Sequence, residues 1–441
     1  MLQKLEQHIN QKFPFLKEAK ILIAISGGVD SVVLTQLLSA LKFDISLAHC
    51  NFKLREKESD LDALFVKEFA KKLAVQCFVK SFNTEEFAKE NKQSTQIAAR
   101  NLRYHWFQEI ASEHQFDFVL TAHHADDNLE TFLINLTRGT GLDGFTGIPA
   151  INKNIARPFL IFSREEIINY AAENAIVWRE DQSNSTTKYL RNKIRHQVVP
   201  VLKEINPSLL ETFSKTTDNL QESKQIIEDR MEEIKPTLLL PFNNNLGDDF
   251  FKISIQEITQ LSNPKAYLYQ LLKAYHFTEF KDVFNLLFAQ PGKQVFSRTH
   301  ILLKDRDFLI LSEIEKKEGE TIYYIEEKET EITTPVHLNL TTSFEGFVKN
   351  KNTIYVSKDT VTFPLIVRKW KHGDSFYPLG MTGKKKLSKY FKDEKLSLIE
   401  KEQTWILCNC DDSIIWLIGK RQDLRFNAPQ KTTNTIKISL P

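Results

Sequence analysis

Six residues, Ser26-Gly27-Gly28-Val29-Asp30-Ser31, lie between an apolar run and a helical pattern, and nothing else in the chain constrains it more. Lys20-Ile21-Leu22-Ile23-Ala24-Ile25 is a continuous apolar run, which predicts a parallel strand buried on both faces. Val32 to Leu41 follows with helical spacing. A strand that feeds a helix through two glycines presents backbone N–H groups and a helix N-terminus to an anion. Gly27 and Gly28 lack a Cβ, so phosphate oxygens can approach the backbone closely. The hydroxyls of Ser26 and Ser31 can add donors. Asp30 is itself an anion and a poor phosphate ligand, so it suggests a magnesium ion or a cationic group nearby. An ordinary Ser/Gly-rich turn is the competing reading, and the whole hexapeptide in strand–loop–helix context favours nucleotide binding over it. GxxxxGK[ST] is absent, which excludes a kinase-type or GTPase-type loop.

The rhythm continues to about residue 200. Asp44 to Cys50 and Val75 to Val79 read as strands, as does Phe116 to Thr121; Ser59 to Leu73 and Gln96 to His114 read as helices. Alternation of this kind predicts an α/β fold, a parallel doubly wound sheet covered by helices. Beyond Pro200 the pattern changes. Leu209 to Ile234, Lys265 to Tyr275 and Lys281 to Phe288 look helical, and Phe296 to Leu311 and Glu320 to Leu340 look like strands. The expected division is 1–205 as an ATP-binding catalytic domain, 206–345 as a mixed, largely helical middle domain, and 355–441 as a small α+β domain with a basic segment.

Net charge is only +2, yet Pro364 to Ile399 carries nine Lys/Arg against three Asp/Glu. Tyr189 to Lys203 holds Arg191, Lys193, Arg195 and Lys203 and no acid, whereas Leu311 to Glu331 is acidic. Two separated basic segments in a nearly neutral chain point to a polyanionic partner. Four cysteines without a CxxC pair do not make a disulfide scaffold; Cys408 and Cys410 are expected on one face of a strand, as structural residues. No apolar run approaches the ~18–20 residues of a membrane span, and the first residues lack the apolar core of a signal peptide, so a cytoplasmic location is expected.

After the strand ending at Thr121 comes Ala122-His123-His124-Ala125-Asp126-Asp127-Asn128-Leu129-Glu130-Thr131. On a helix His123, Asp127 and Glu130 stand at i, i+4 and i+7, on one face. They lie at the carboxyl end of the sheet, where ligands of open α/β folds bind. Two carboxylates there can hold an ammonium group or magnesium. Acids complementing the helix dipole explain Asp126 well, but not two histidines before two aspartates. Cysteine or further histidine at zinc-ligand spacing is absent.

The hexapeptide resembles the pyrophosphate loop of the N-type ATP pyrophosphatases, the PP-loop or adenine nucleotide alpha hydrolase-like group. SGGVDS, AHHADDNLET and Arg191-Asn192-Lys193-Ile194-Arg195 with Pro200, in that order, resemble the tRNA(Ile)-lysidine synthetase family. Arg100-Asn101-Leu102-Arg103-Tyr104 resembles that family's Arg-x-x-Arg-Tyr helix. Gly373 to Met381, Lys385-Lys386-Leu387, Ile415 to Gly419 and Arg425-Phe426 resemble its terminal domain. The resemblance covers about the first 200 and last 75 residues. One position departs: where the family commonly has Asn-His-x-Leu-Arg, this chain has Asn51-Phe52-Lys53-Leu54-Arg55, which removes a histidine.

The resemblance implies that ATP adenylates the wobble cytidine of an isoleucine tRNA with a CAU anticodon, and that free L-lysine then displaces AMP. It implies catalytic roles for Asp30, His123, Asp127, Glu130, Arg191 and Arg195, ATP binding by Ser26 to Ser31, and Mg2+ at Asp30. Contact with tRNA is expected from Arg55, Arg100, Arg103 and the cluster Lys384-Lys385-Lys386. Trp370, Phe376, Tyr377 and Tyr390 lie among those lysines, with core packing as the simpler reading of each. A membrane partner is not expected, and the oligomeric state is open, a homodimer being one option. A tRNA thiolase, a free-standing amide synthetase and a non-catalytic tRNA-binding protein are the alternatives. The first needs a catalytic cysteine, the second has no use for two basic segments, and the third conflicts with an intact loop and acidic helix.

Overall fold

The first helix, α1 (Leu2–Lys12), buries Leu5 and Ile9 and leaves its lysines in solvent. A computed structural model describes residues 1–179, 190–243, 249–314, 322–342, 346–347, 350–396, 398–428 and 434–441. Tyr189, Glu320 and the 315–321 part of the acidic run lie outside the described residues. The contacts divide the chain into two units, Met1–Ile227 and Glu228–Pro441. No helix among the described residues is long and apolar enough to cross a membrane.

In the first unit α1 is followed by β1 (Ile21–Ala24), α2 (Val29–Ala40), β2 (Ile45–Asn51), α3 (Glu56–Lys72), β3 (Cys77–Ser81), α4 (Thr84–Glu90), α5 (Thr95–Glu113), β4 (Phe118–Leu120) and α6 (Ala125–Arg138). Next come α7 (Leu142–Phe145), β5 (Ile151–Asn152), β6 (Ile155–Ala156), α8 (Arg164–Glu173), α9 (Leu190–Lys193), a π-helical turn over Ile194–Val198 and α10 (Val199–Ile205). The strand order is β3-β2-β1-β4-β6-β5. All pairs are parallel except β5 on β6. Alternate residues of β1 explain its apolar run. Ile21 and Ile23 pack with Val33, Leu34 and Leu37 of α2, and Leu22 packs with Trp106 and Ile110 of α5. The chain leaves β1 toward β2 on one side and later returns to β4 on the other. The crevice between the carboxyl ends of β1 and β4 is therefore the switch point at which such sheets bind ligands.

Two edges differ from expectation. β3 starts at Cys77 rather than Val75, because Ala74 turns left-handed (φ 55°) and Val75 N–H bonds back to Ala70. In β4 only Phe118–Leu120 pairs, while Phe116 turns into the core.

Helix α11 (Leu209–Leu238) leads into the second unit. There β7 (Leu239–Asn243), β8 (Asp249–Ser254), α12 (Ile255–Gln260), α13 (Pro264–Leu272), α14 (Phe280–Asn285), β9 (Gln294–Phe296), β10 (His300–Asp305) and β11 (Phe308–Glu313) form an antiparallel sheet, β7-β8-β11-β10-β9, with helices packed on it. The middle region thus adds a full sheet to its helices. Then follow β12 (Tyr323–Ile325), β13 (Glu331–Ile332), β14 (Leu338–Thr341), β15 (Thr353–Ser357), β16 (Leu365–Lys369), β17 (Ser375–Phe376), β18 (Lys385–Lys386), α15 (Leu387–Asp393), α16 (Leu398–Glu402), β19 (Trp405–Cys408), β20 (Ile414–Leu417), β21 (Arg421–Gln422) and β22 (Thr435–Ser439). Sheets β12-β16-β19-β20-β21 and β13-β14-β22-β15 share one core, in which Leu338 and Leu340 meet Trp416 and Ile438. The expected boundary at 345–355 falls inside this core, because β14 pairs with β22 across about a hundred residues of chain. Helix α15 covers the other face of the first sheet, where Phe376 and Tyr390 are core residues. The expectation for Cys408 and Cys410 is corrected: β19 ends at Cys408, which is buried, and Cys410 lies exposed beyond it.

Candidate active site

The loop after β1 holds itself in shape. Ser31 Oγ donates to Gly28 O (3.0 Å), and Ser31 Oγ accepts Ser26 N–H (3.2 Å). Gly28 N–H donates to Ser26 Oγ (3.2 Å). The two hydroxyls expected to face phosphate are thus partly spent on the loop. Gly27 sits at φ +94°, where L side chains are strained whatever the space. Gly28 caps α2, Val29 anchors in the core, and Asp30 lies in the first turn. Gly27→Ala is expected to weaken ATP binding roughly tenfold, the equivalent of about 1–2 kcal/mol of backbone strain. Titration of ATP against the variant and the parent checks this.

The acidic helix opens at Ala125, two residues after the His123 that the i, i+4, i+7 reading places on it. His124 is the N-cap of α6, and its N–H donates to Asp127 Oδ2 (3.2 Å). His123 stays in the preceding segment, its Nδ1 2.8 Å from Thr121 Oγ1. His124, only 1% exposed, is the histidine that turns into the acid cluster. Its imidazole stands 3.4 Å from Asp127, 3.6 Å from Asp126 and 3.9 Å from Asp30. The loop after β1 and the start of α6 therefore meet at this ring.

Two cations from the basic segment close the other side. Arg195 engages Glu130 through Nε (2.5 Å) and Nη2 (3.0 Å), and Nη2 also reaches Asp127 Oδ1 (3.0 Å). Arg191 donates to Thr131 Oγ1 (2.5 Å), with its Nε 3.5 Å from Glu130. Asp126 is not merely a dipole partner. It accepts Lys203 Nζ (2.6 Å) and the Arg164 N–H (2.8 Å), which ties α6 to α10 and α8.

Burial and charge set the protonation states. Burial pushes His123 down to about 4, outweighing Asp127, so it is neutral at pH 7. Burial would also lower His124, but Asp127, Asp126 and Asp30 override it and raise its pKa. Burial opposes ionisation of Asp127, and the histidines with Arg195 prevail and lower it. Burial likewise opposes ionisation of Asp126, and His124 and Lys203 hold it well below the usual carboxylate range. Burial raises Glu130, while its bidentate guanidinium keeps it paired. Burial also raises Asp30, whose Oδ1 is buried without a hydrogen-bond partner. An unsatisfied buried carboxylate oxygen fits a cation, and magnesium needs only one or two protein carboxylates beside phosphate.

His123, Asp127, Glu130, Arg191, Arg195 and Asp30, expected from the sequence, all lie at this edge or are acted on by its charges. His124, Asp126 and Lys203 join them, which the sequence alone did not indicate. The HH doublet and the basic segment were visible, but which histidine turns inward depends on where the helix starts. Of the residues expected to touch tRNA, Arg55 pairs with Asp62 (2.9 Å), Arg100 lies over the Tyr104 ring (4.9 Å), and Arg103 lies over the Phe52 ring (5.3 Å). In the second unit Lys384 and Lys386 are exposed and Lys385 pairs with Asp393 (2.8 Å).

Family models match three stretches: a PP-loop domain over residues 1–202, a TilS substrate binding domain over 247–314, and a TilS substrate C-terminal domain over 365–439. The first marks an ATP-using domain. The tRNA(Ile)-lysidine synthase of Parabacteroides distasonis is 40% identical over 440 residues, covering 97% of each chain. That of Bacteroides thetaiotaomicron is 36% identical over 437 residues, covering 98% of each. That of Porphyromonas gingivalis strain W83 is 35% identical over 425 residues, covering 92% of this chain and 90% of the relative. Similarity of this extent, on a chain whose loop and acid–arginine cluster meet at one sheet edge, places it in the tRNA(Ile)-lysidine synthase family.

Proposed function

We propose that this chain ligates free L-lysine to C2 of the wobble cytidine, position 34, in the CAU anticodon of an isoleucine tRNA, in the cytoplasm, with ATP released as AMP and pyrophosphate. The carrying observation is the meeting of the ATP loop and the acid cluster, with His124 3.9 Å from Asp30.

In the first step the C2 carbonyl oxygen of cytidine attacks the α-phosphorus of ATP. The α–β phosphoanhydride bond breaks, and pyrophosphate stays at the loop and the α2 N-terminus. Asp30 would hold a magnesium ion there, which supplies charge neutralisation on the phosphates. Arg191 is suited to the charge developing on the α-phosphate, because its side chain is less committed to Glu130 than that of Arg195. In the second step the ε-amine of lysine attacks C2, a C–N bond forms, and the C–O bond to AMP breaks. Free lysine arrives as a cation, with a pKa of about 10.4. Glu130 is gripped through both oxygens by Arg195, and Asp127 is shared by Arg195 and the His124 N–H; Asp30, whose Oδ1 has no hydrogen-bond partner, is the carboxylate with an open oxygen for the ammonium, beside Asp127. The ammonium loses a proton as it attacks; burial pushes His123 down to about 4 and makes it a weak acceptor, so a carboxylate of the cluster is the better base.

A thiolase reading is disfavoured by the two cysteines of the first unit: burial pushes the Cys50 thiol up to about 12 and raises Cys77 as well. The test is incubation with ATP, labelled lysine and an unmodified CAU-anticodon isoleucine tRNA. Label in a single modified cytidine, with equal AMP and pyrophosphate, is expected. Sulfur incorporation, or no label in the tRNA, would reject the reading.

A further inference from the structure

The arginines at this sheet edge are mostly committed to carboxylates. Arg55 and Arg179 share Asp62, and Arg191 and Arg195 share Glu130. Arg103 is different: it is exposed and makes no ion pair or hydrogen bond among the described residues. It is nevertheless placed. Its guanidinium lies over the Phe52 ring, 5.3 Å from the centroid. That ring is itself fixed. It stacks on Phe82 (5.7 Å), which edges against Trp106 (5.9 Å), and the Phe52 carbonyl accepts Thr84 Oγ1 (2.9 Å). Phe52 follows the last residue of β2, so the pair stands at the carboxyl edge of the sheet. Its charge also acts weakly on His123 and on His49 and Cys50 of β2.

A guanidinium lying on an aromatic face keeps its planar fork of N–H donors directed outward, the geometry that grips phosphate bidentately. A phenyl ring has no titratable atom, so Phe52 can serve this site only through its face. We infer that Arg103, held on the Phe52 ring, clamps a backbone phosphate of the anticodon loop beside the reacting cytidine, with Phe52 as its positioning residue. The inference rests on the reading of the chain as a lysidine-forming ligase and names the tRNA group that this part of the site holds.

The test compares the full chain with Arg103→Ala, Arg103→Lys, Phe52→Ala and Phe52→His on unmodified CAU-anticodon isoleucine tRNA. KM for tRNA, KM for ATP, kcat and the salt dependence of tRNA affinity are measured. Arg103→Ala raises KM for tRNA about 10- to 100-fold, the loss of one charge-assisted contact. It keeps kcat at saturating tRNA and KM for ATP, and it lowers the salt slope by about 0.7, one single-strand phosphate. Arg103→Lys keeps the salt slope and raises KM. Phe52→Ala raises KM about three- to tenfold through loss of the cation–π support, and Phe52→His recovers most of that loss. Wild-type KM and salt slope in Arg103→Ala overturn the clamp, as does a fall in kcat alone. Phe52→Ala indistinguishable from wild type overturns the positioning role. Lost ATP affinity in Phe52→Ala marks misfolding, and Phe52→His against Arg103→Lys then decides. Absence of lysidine with the wild type overturns the underlying reading and this inference with it; wild-type turnover with an indifferent Arg103→Ala overturns the inference alone.

Discussion

Asp127→Asn lowers lysidine formation by roughly 10²- to 10⁴-fold, the range of a lost charge or proton-transfer group at a reacting centre, and leaves the fold intact. The side chain has two duties that this substitution separates. One oxygen accepts His124 N–H at the start of α6, and an amide oxygen can do the same. The other faces Arg195 at 3.0 Å, where the negative charge is what matters. Asp127 is held ionised by the histidines and arginines against its own burial, so it is an anion at neutral pH and can receive an ammonium. Steady-state turnover with a circular dichroism melt checks both halves. Unchanged turnover with an unchanged melt would remove Asp127 from the mechanism.

Arg195→Ala has the largest expected effect on stability. Glu130 is 1% exposed, and Arg195 gives it two of its close contacts. Removing one partner of a buried pair strands the other charge, at a cost of about 3–5 kcal/mol; Arg191, 3.5 Å away, keeps this near the lower figure. The pH dependence has a definite sign. Burial raises the Glu130 pKa, and without Arg195 only Arg191 opposes that effect. A carboxyl group whose folded pKa lies above its unfolded value costs nothing below the unfolded value, and stability falls as pH rises through the folded one. The deficit of Arg195→Ala is therefore largest near pH 8 and shrinks toward pH 5. Denaturant melts of the parent and variant at both pH values check this. Glu130→Ala combined with Arg195→Ala recovers part of the loss, because no charge is then stranded.

What the sequence made legible was local. The run from Ile21 to Ile25 names its strand because burial on both faces needs uninterrupted apolar residues, and SGGVDS names the loop because Gly27 occupies a conformation other residues resist. The acid cluster was legible in composition but not in register. A helix starting at Ala125 makes His124 the cap and leaves His123 behind, and one residue decides which ring meets Asp30. Pairings such as Lys203 with Asp126 and Arg195 with Glu130 span more than sixty residues, and spacing says nothing about such contacts. The same holds for the second unit. Its sheets rest on long-range partners such as β14 and β22, so its helices were foreseen better than its strands. Arg55 adds a local case: its ion pair with Asp62, seven residues on, is a contact the motif did not announce.

ATP–pyrophosphate exchange is the measurement that bears most directly on the joining of loop and acid cluster into one tRNA-activating site. With the wild-type chain and labelled pyrophosphate, exchange into ATP is expected when the CAU-anticodon isoleucine tRNA is present without lysine, and not when lysine is present without tRNA. Exchange driven by lysine alone, or release of ADP and phosphate in place of AMP and pyrophosphate, would contradict the account.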